Sequence, residues 1–243
     1  LDTAWPSANA EDCLRRSQNG AMHSSFDCVW GFTQIGIDEP TSELLALNTR
    51  RGLLLPKVLY FGAKQGPGIF QALADSVFSH LKYKGAEFVT CFVDDCSIST
   101  TLEPGETNSS GSLVERHIEQ LELFFAAAQK KRIQFKLEKS KFCAKRIPLL
   151  GFVVGQGVKT CQPGKAQALR DWPDPTSIDD VVSFRAFANY LREFIPRFQE
   201  LDSRLKLCTR KGVKWEAWSA DKANLAAFTD MRLALAEMAE IHM

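Results

Sequence analysis

Glu87-Phe88-Val89-Thr90-Cys91-Phe92-Val93-Asp94-Asp95-Cys96-Ser97-Ile98-Ser99 is the stretch whose reading decides the fold. Phe88, Val89, Cys91, Phe92 and Val93 form an apolar, β-rich run that predicts a buried strand. Cys96 to Ser99 returns as its hairpin partner, with Asp94 and Asp95 at the turn. Two ionised carboxylates about 4 Å apart repel by about 4 kcal/mol at an effective dielectric near 20. Two environments relieve that repulsion. One is a surface turn with both carboxylates in water. The other is a shared divalent cation. The hairpin alone does not choose between them.

The chain has 243 residues, is 45% hydrophobic and carries a formal charge of +1, which is a globular composition with length for one large or two small domains. Seven cysteines are scattered without a Cys-x-x-Cys pair, so they predict buried free thiols in a reducing, intracellular compartment rather than a disulfide frame or zinc site. Cytoplasm and nucleus are not distinguished, and the sequon at Asn108 is expected to be idle there. No apolar run is long enough to span a membrane and no secretory signal is visible, so no membrane partner is expected. A start on Leu1 is expected of a piece of something longer. The charge is uneven. Lys130, Lys131, Arg132, Lys136, Lys139, Lys141, Lys145 and Arg146 crowd one stretch, and Arg192, Arg197, Arg204, Lys206, Arg210, Lys211 and Lys214 form a second. Each is either a solvated face or a track for a polyanion.

In chain order, Ala10 to Arg16 predicts a short helix closed by Asn19-Gly20. Ser24 to Ile35 predicts a strand interrupted by Asp27 and Gly31. Asp27 inside an apolar strand is either a helix cap or a third carboxylate facing Asp94 and Asp95. Leu53 to Phe61 reads as another strand. Gly62 to Gly68 is a loop of small residues opening a helix, either an ordinary turn or a place where backbone N–H groups approach phosphate. Ile69, Phe70, Leu73, Ala74, Val77, Phe78 and Leu81 recur at helical spacing. Thr101 to Ser112 predicts a flexible surface loop, and Val114 to Lys131 a strongly amphipathic helix. Ile133 to Leu137 alternates like a strand, and Ile147 to Val154 with Val158 reads as a hairpin. Residues 25–160 are thus an α+β layer, an antiparallel sheet with two packed helices, and residues 163–243 a small helical appendage.

Three ordered pieces now stand together: Asp27-x-x-x-Gly31-Phe32-x-Gln34-Ile35, Phe61-Gly62-x-x-x-x-Pro67-x-x-Phe70-Gln71, and Phe92-Val93-Asp94-Asp95. In that order they resemble the reverse transcriptase of long-terminal-repeat retrotransposons, with the Ty3/gypsy type nearest and retroviral polymerases as cousins. Lys139 with Phe142 is similar to the family's motif D, and Leu149-Leu150-Gly151 to its Leu-Gly-His primer grip with Phe152 in place of His. Pro163-x-Lys165, Trp172-Pro173-x-Pro175 and the run from Arg185 to Ile195 resemble its thumb, and Trp215 with Ala227-Phe228 the start of its connection region. The resemblance runs from about Trp5 to about Leu235.

The resemblance implies an α+β polymerase palm followed by a small helical thumb. It divides the chain into 1–24, a remnant of the fingers leading into the palm; 25–160, the palm with catalytic carboxylates and primer grip; 161–210, the thumb; and 211–243, the start of the connection region. It implies that Asp27, Asp94 and Asp95 hold two Mg²⁺ ions, with Mn²⁺ able to substitute, and that Lys139 neutralises or protonates the leaving pyrophosphate. Phe32 would exclude a ribose 2′-OH, and Phe61, Gly62 and Gln71 would complete the nucleotide site. Leu150, Gly151, Lys141, Lys165 and Arg192 would meet primer and template. The implied partners are an RNA or DNA template with its primer, deoxynucleoside triphosphates, and the fingers, RNase H and integrase domains of a polyprotein. The chain departs from the family pattern at four places. It begins after the fingers that clamp the triphosphate, has Leu59-Tyr60 for Met-Pro, carries a longer loop at Thr101 to Ser112, and shows no RNase H domain after Met243. Two functions therefore stand: an RNA-directed DNA polymerase domain, or a catalytically inactive remnant that at most binds nucleic acid.

Overall fold

The computed structural model of the protein describes residues 9–234 and 241–242. Trp5-Pro6, where the resemblance begins, lies outside the described residues. The chain forms two compact units, one of Leu1–Leu150 with Val154–Gly157, the other of Gly151–Val153 with Val158–Met243.

The first unit opens with α1 (Ala10–Gln18), whose Asn9 side chain accepts the Glu11 N–H as an N-cap. Strand β1 (Met22–Asp27) follows, then a 3₁₀ turn over Gly31–Gln34 and α2 (Glu39–Leu44). The expected strand from Ser24 to Ile35 therefore stops at Asp27, because Trp30 enters the left-handed region at φ 50° and the chain turns. The expected strand from Leu53 to Phe61 is also shortened. It is an exposed ribbon of β2 (Leu47–Thr49) and β3 (Gly52–Leu54), and beyond it only Val58 bridges to Gly36. Next come α3 (Gly66–Phe78), a two-residue ribbon of β4 (Lys82–Tyr83) and β5 (Ala86–Glu87), β6 (Val89–Phe92), β7 (Asp95–Thr100) and α4 (Gly111–Lys131). The predicted strand at Ile133 to Leu137 reduces to a bridge from Phe135 to Cys28. The strand proper is β8 (Lys141–Ala144), followed by β9 (Ile147–Leu149).

The central sheet has the order β6-β7-β1-β8, and its described pairs are antiparallel. β1 and β7 pair without a break from Met22 opposite Thr100 to Asp27 opposite Asp95. Side chains alternate along a strand, so Ser24, Phe26, Cys96, Ile98 and Thr100 share one face. His23, Ser25, Asp27, Asp95, Ser97 and Ser99 share the other. Helices α3 and α4 cover the first face. Phe26, Phe78 and Phe124 stack there at centroid distances of 5.0 and 4.6 Å, with Phe70, Val77, Ile98 and Leu121 around them. Burying each such side chain contributes about 1.5–3 kcal/mol. The second face is left open at the Asp27–Asp95 end.

The other end of β1 and β7 is polar and largely buried. His23 Nε2 donates to the Gly20 carbonyl and Nδ1 accepts from Ser99 Oγ, each at 3.0 Å. His117, on α4, reaches Ser24 Oγ at 2.7 Å and Thr100 Oγ1 at 2.6 Å. Thr100 gives its proton to Gln120, so it must accept from His117 Nδ1–H, which leaves Nε2 to accept from Ser24. Both rings are thus held neutral. Burial pushes the pKa of His23 down to about 4, and burial with the neighbouring His23 does the same to His117.

The loop from Thr101 to Ser112, expected to be flexible, is folded down by α4. Arg116, only 8% exposed, donates to both Glu106 carboxylate oxygens at 2.9 and 2.7 Å and to the Thr101 carbonyl at 2.7 Å. The Glu106 carboxyl is held down at about 2, chiefly by Arg116.

The division between the units runs through β10 (Phe152–Gly155). The second unit continues with β11 (Val158–Cys161), α5 (Pro163–Arg170), α6 (Ile178–Tyr190), α7 (Phe198–Leu205), α8 (Trp215–Ser219) and α9 (Lys222–Ala234). Phe184 packs on Phe228 at 4.1 Å within a core that includes Leu169, Val181, Leu205 and Met231, and Arg185 grips Asp202 through two bonds of 2.7 and 3.0 Å. The single helix expected from Ser177 to Arg197 ends at Tyr190 and is followed by a 3₁₀ turn over Arg192–Phe194. The helix expected to reach Glu240 is described as far as Ala234. Among the described residues no helix is long and apolar enough to cross a membrane.

Candidate active site on the carboxylate hairpin

A two-residue turn, Val93-Asp94, joins β6 to β7. Val93 adopts φ 52°, an uncommon conformation for a β-branched residue. Gln71 holds it there. This side chain, 3% exposed, accepts the Val93 N–H at 2.8 Å and donates to the Cys91 carbonyl at 3.3 Å and to Asp75 at 2.9 Å. Gln71 therefore sits under the hairpin rather than on an open surface, and its polar atoms serve the turn. Asp94 is fixed from the other side, where its carbonyl accepts the Cys28 N–H at 3.1 Å. Gly31 lies against it: a Cβ on Gly31 would stand 3.4 Å from Asp94 Cβ and 3.2 Å from the Phe70 ring, a tight fit that explains the small residue.

The sheet register brings Asp27 opposite Asp95 on the open face, with Asp94 beside them at the turn. Burial raises the pKa of Asp95, and the charges of Asp94 and Asp27 raise it further, while Lys139 opposes them. Asp27 faces two cations. Its Oδ2 is 3.4 Å from Lys136 Nζ and 3.3 Å from Lys139 Nζ, yet that buried oxygen has no hydrogen-bond partner. Lys136 was legible only as part of a basic stretch. Its position follows from the Phe135 bridge to Cys28 and from its own N–H, which donates to the Asp27 carbonyl at 2.9 Å.

The remaining expected residues fall into three places. Phe32 follows Gly31 and packs edge-on to Phe61 and Phe70, at centroid distances of 5.3 and 6.2 Å. Phe61 is 60% exposed, and Gly62 beside it adopts φ 99° in open space. Lys141 is exposed on β8, where it pairs with Ser25 of β1. In the second unit Gly151 meets Lys165 and Tyr190. A Cβ at Gly151 would lie 2.1 Å from Lys165 Nζ and 2.0 Å from Tyr190 Oη, and φ 78° also requires glycine. Lys165 stands over the Tyr190 ring at 4.2 Å. Arg192 is exposed on its own 3₁₀ turn, and Leu150 adopts φ 47° just before the division.

Oxygen donors, an orphaned buried carboxylate oxygen and mutual repulsion at Asp95 suit a hard divalent cation. Among the described residues no three acidic, His or Cys side chains converge as a finished cage. A site of one or two carboxylates that borrows its remaining oxygens from substrate phosphates is the habit of Mg²⁺.

The paired-carboxylate hairpin thus lies on an antiparallel sheet backed by two helices. The chain belongs to the reverse transcriptase (RNA-dependent DNA polymerase) family, whose profile matches residues 3–154. It is similar to the retrovirus-related Pol polyproteins of the transposons 297 and opus of Drosophila melanogaster, at 26% and 28% identity over 86% of its length. It is also similar to the enzymatic polyprotein of cauliflower mosaic virus, at 24% identity over 96%. The chain spans about a fifth of the two transposon polyproteins (18% and 20%) and about a third (34%) of the viral one. In fold it is similar to the foamy viral protease-reverse transcriptase. The TM-score is 0.78 at 18% identity to the form in complex with RNA/DNA hybrid, covering 98% of this chain and 30% of that one. Against the form in complex with dsDNA the TM-score is 0.75 at 20% identity, covering 98% and 47%.

Proposed function

We propose that this chain is the palm and thumb of an RNA-directed DNA polymerase that adds deoxynucleotides to a primer 3′-OH on an RNA or DNA template. The observation that carries the reading is the register of Asp27 opposite Asp95 on the open face of a sheet whose other face is the core, with Asp94 at the adjoining turn. In this reading residues 25–160 are the palm, 161–210 the thumb and 211–243 the start of a connection region, with 1–24 leading in from the fingers. Asp27, Asp94 and Asp95 would hold Mg²⁺, or Mn²⁺ in its place. Bound there, the ions would make the primer hydroxyl a better nucleophile and offset the triphosphate's charge. Gln71 and the Cys28 N–H hold the hairpin so that Asp94 and Asp95 need not reorganise when substrate arrives. Lys139, 64% exposed and 3.3 Å from Asp27, is free to swing to a departing pyrophosphate, and Lys136 stays as the partner of Asp27. Phe32, braced by Phe61 and Phe70, would close the sugar side of the nucleotide pocket. Gly62 would let backbone approach the nucleotide, and Lys141, Leu150, Gly151, Lys165 and Arg192 would meet primer and template. Fingers, RNase H and integrase domains of a polyprotein would be its partners.

A second reading, an inactive remnant that binds nucleic acid, draws on one observation. Lys136 and Lys139 already offset the charge of Asp27, as they would in a protein that no longer recruits metal. Primer extension on poly(rA)–oligo(dT) with Mg²⁺ or Mn²⁺ separates the two. The polymerase reading expects incorporation that the Asp94→Asn/Asp95→Asn protein loses while still binding the duplex. Duplex binding without incorporation in either protein would establish the remnant.

A further inference from the structure

Behind the carboxylates, on the covered face of the same hairpin, lie three thiols that nucleotidyl transfer does not use. Cys91 and Cys96 are register partners one pair in from the turn, and their sulfurs are 2.8 Å apart. Cys28 follows Asp27 in the chain, is 2% exposed and lies beside the Cys96 thiol. The ladder shows which kind of pair Cys91 and Cys96 make. Ser99 N–H donates to the Phe88 carbonyl at 3.0 Å, so Phe88 and Ser99 are a hydrogen-bonded pair. Pairs alternate along an antiparallel ladder, so Thr90–Ser97 is hydrogen-bonded and Cys91–Cys96 is not. Non-hydrogen-bonded partners have Cα atoms about 4.5 Å apart, inside the range a disulfide accepts. Cys91 is half-buried and lines a cavity of about 320 Å³ with Arg16, Gln71, Asp75 and Thr90, which gives a small oxidant a way in.

We propose that Cys91 and Cys96 are a redox-active dithiol that closes to a disulfide across the base of the Val93-Asp94 turn when a peroxide reaches that cavity. The Cys91 sulfur attacks one peroxide oxygen and the O–O bond breaks, giving a Cys91 sulfenic acid and one water. The Cys96 sulfur then attacks the Cys91 sulfur. The S–O bond breaks and the hydroxyl leaves with the Cys96 proton as a second water. The two sulfurs lose two electrons and hydrogen peroxide gains them. A dithiol reductant returns both thiols. Cys28 lies beside Cys96 but is only 2% exposed and does not line that cavity, so it is a bystander.

The test uses the whole chain carrying Cys143→Ser, which removes the exposed thiol and leaves six of the seven cysteines. Hydrogen peroxide is added in a molar equivalent. Thiols are counted after unfolding, and the intact mass and the linked peptide are read by mass spectrometry. The expected result is a fall of two thiols, a loss of two hydrogens, a peptide joining Cys91 to Cys96, and full reversal by dithiothreitol. Adding Cys28→Ser should leave this unchanged. Adding Cys91→Ser should abolish it, with circular dichroism showing that the variant is folded. A Cys28–Cys96 link, an unchanged thiol count or irreversible sulfinic acid would overturn the proposal. None of these readouts depends on nucleotide incorporation, so the dithiol and the polymerase reading stand or fall separately.

Discussion

The two ends of the β1–β7 pair bury polar groups in opposite ways. At the His23 end each ring nitrogen of His23 and His117 has a partner, and those partners are themselves bonded onward to Gln120 and Cys143. At the Asp27 end, four residues away along the same strand, a buried carboxylate oxygen has no hydrogen bond and the neighbouring charges repel. Saturated polar burial does structural work, because any lost partner strands another group at about 1–3 kcal/mol. Unsaturated burial costs stability and persists where an incoming ligand completes it.

That contrast breaks most sharply at Asp27. Asp27→Asn should lower primer extension about a thousandfold, since it removes a charge aimed at the reacting groups. It should leave the urea midpoint nearly unchanged, since among the described residues the carboxylate's side-chain partners are Lys136 and Lys139, 34% and 64% exposed. Equal loss of both would mean that the two ends do not differ.

Acid should unfold the chain through the opposite end. The folded pKa values of His23 and His117, about 4, lie below the ordinary 6.5, so the unfolded chain binds the extra protons. Their contribution is intact above pH 6.5 and is lost as pH falls towards 4, at up to about 1.4 kcal/mol per pH unit for each ring. Urea titrations at pH 7, 5.5 and 4.5 measure this slope, and a His117→Gln chain should show a shallower one.

Gln71 sharpens the comparison because it is saturated yet serves the unsaturated end. Gln71→Leu strands the Val93 N–H and should cost about 1–3 kcal/mol in urea unfolding. Incorporation should fall about ten- to a hundredfold, with kcat moving more than KM, as expected of a positioning residue.

The carboxylate hairpin and α4 were legible in the sequence because their physics is local. An apolar run around an acidic turn and a 3.6-residue apolar period each need only neighbours along the chain. Motif order then added the family and the likeness of fold. β1 was misplaced at its start because Met22, His23 and Ser24 carry no apolar alternation. His23 and Ser24 are buried through bonds to Ser99 and His117, tens of residues away. The contacts of Lys136 and Gln71 were not legible for the same reason. Their partners, Asp27 and the Val93 backbone, are assembled only by tertiary contact.

The Thr101 to Ser112 segment carries a last consequence. Its Gly, Ser, Thr, Asn and Pro content marks the place where a protease would be expected to nick the chain or an engineer to insert a tag. Arg116 turns that tether into a clasp, because one side chain holds the loop's start at Thr101 and its middle at Glu106. Cleavage requires a stretch of backbone to unhook into the enzyme's groove, and here unhooking first means breaking a nearly dry ion pair. The segment that composition offers for cutting is therefore tied down at Thr101 and Glu106, and the exposed ribbon of Leu47–Thr49 and Gly52–Leu54 is expected to be the softer target.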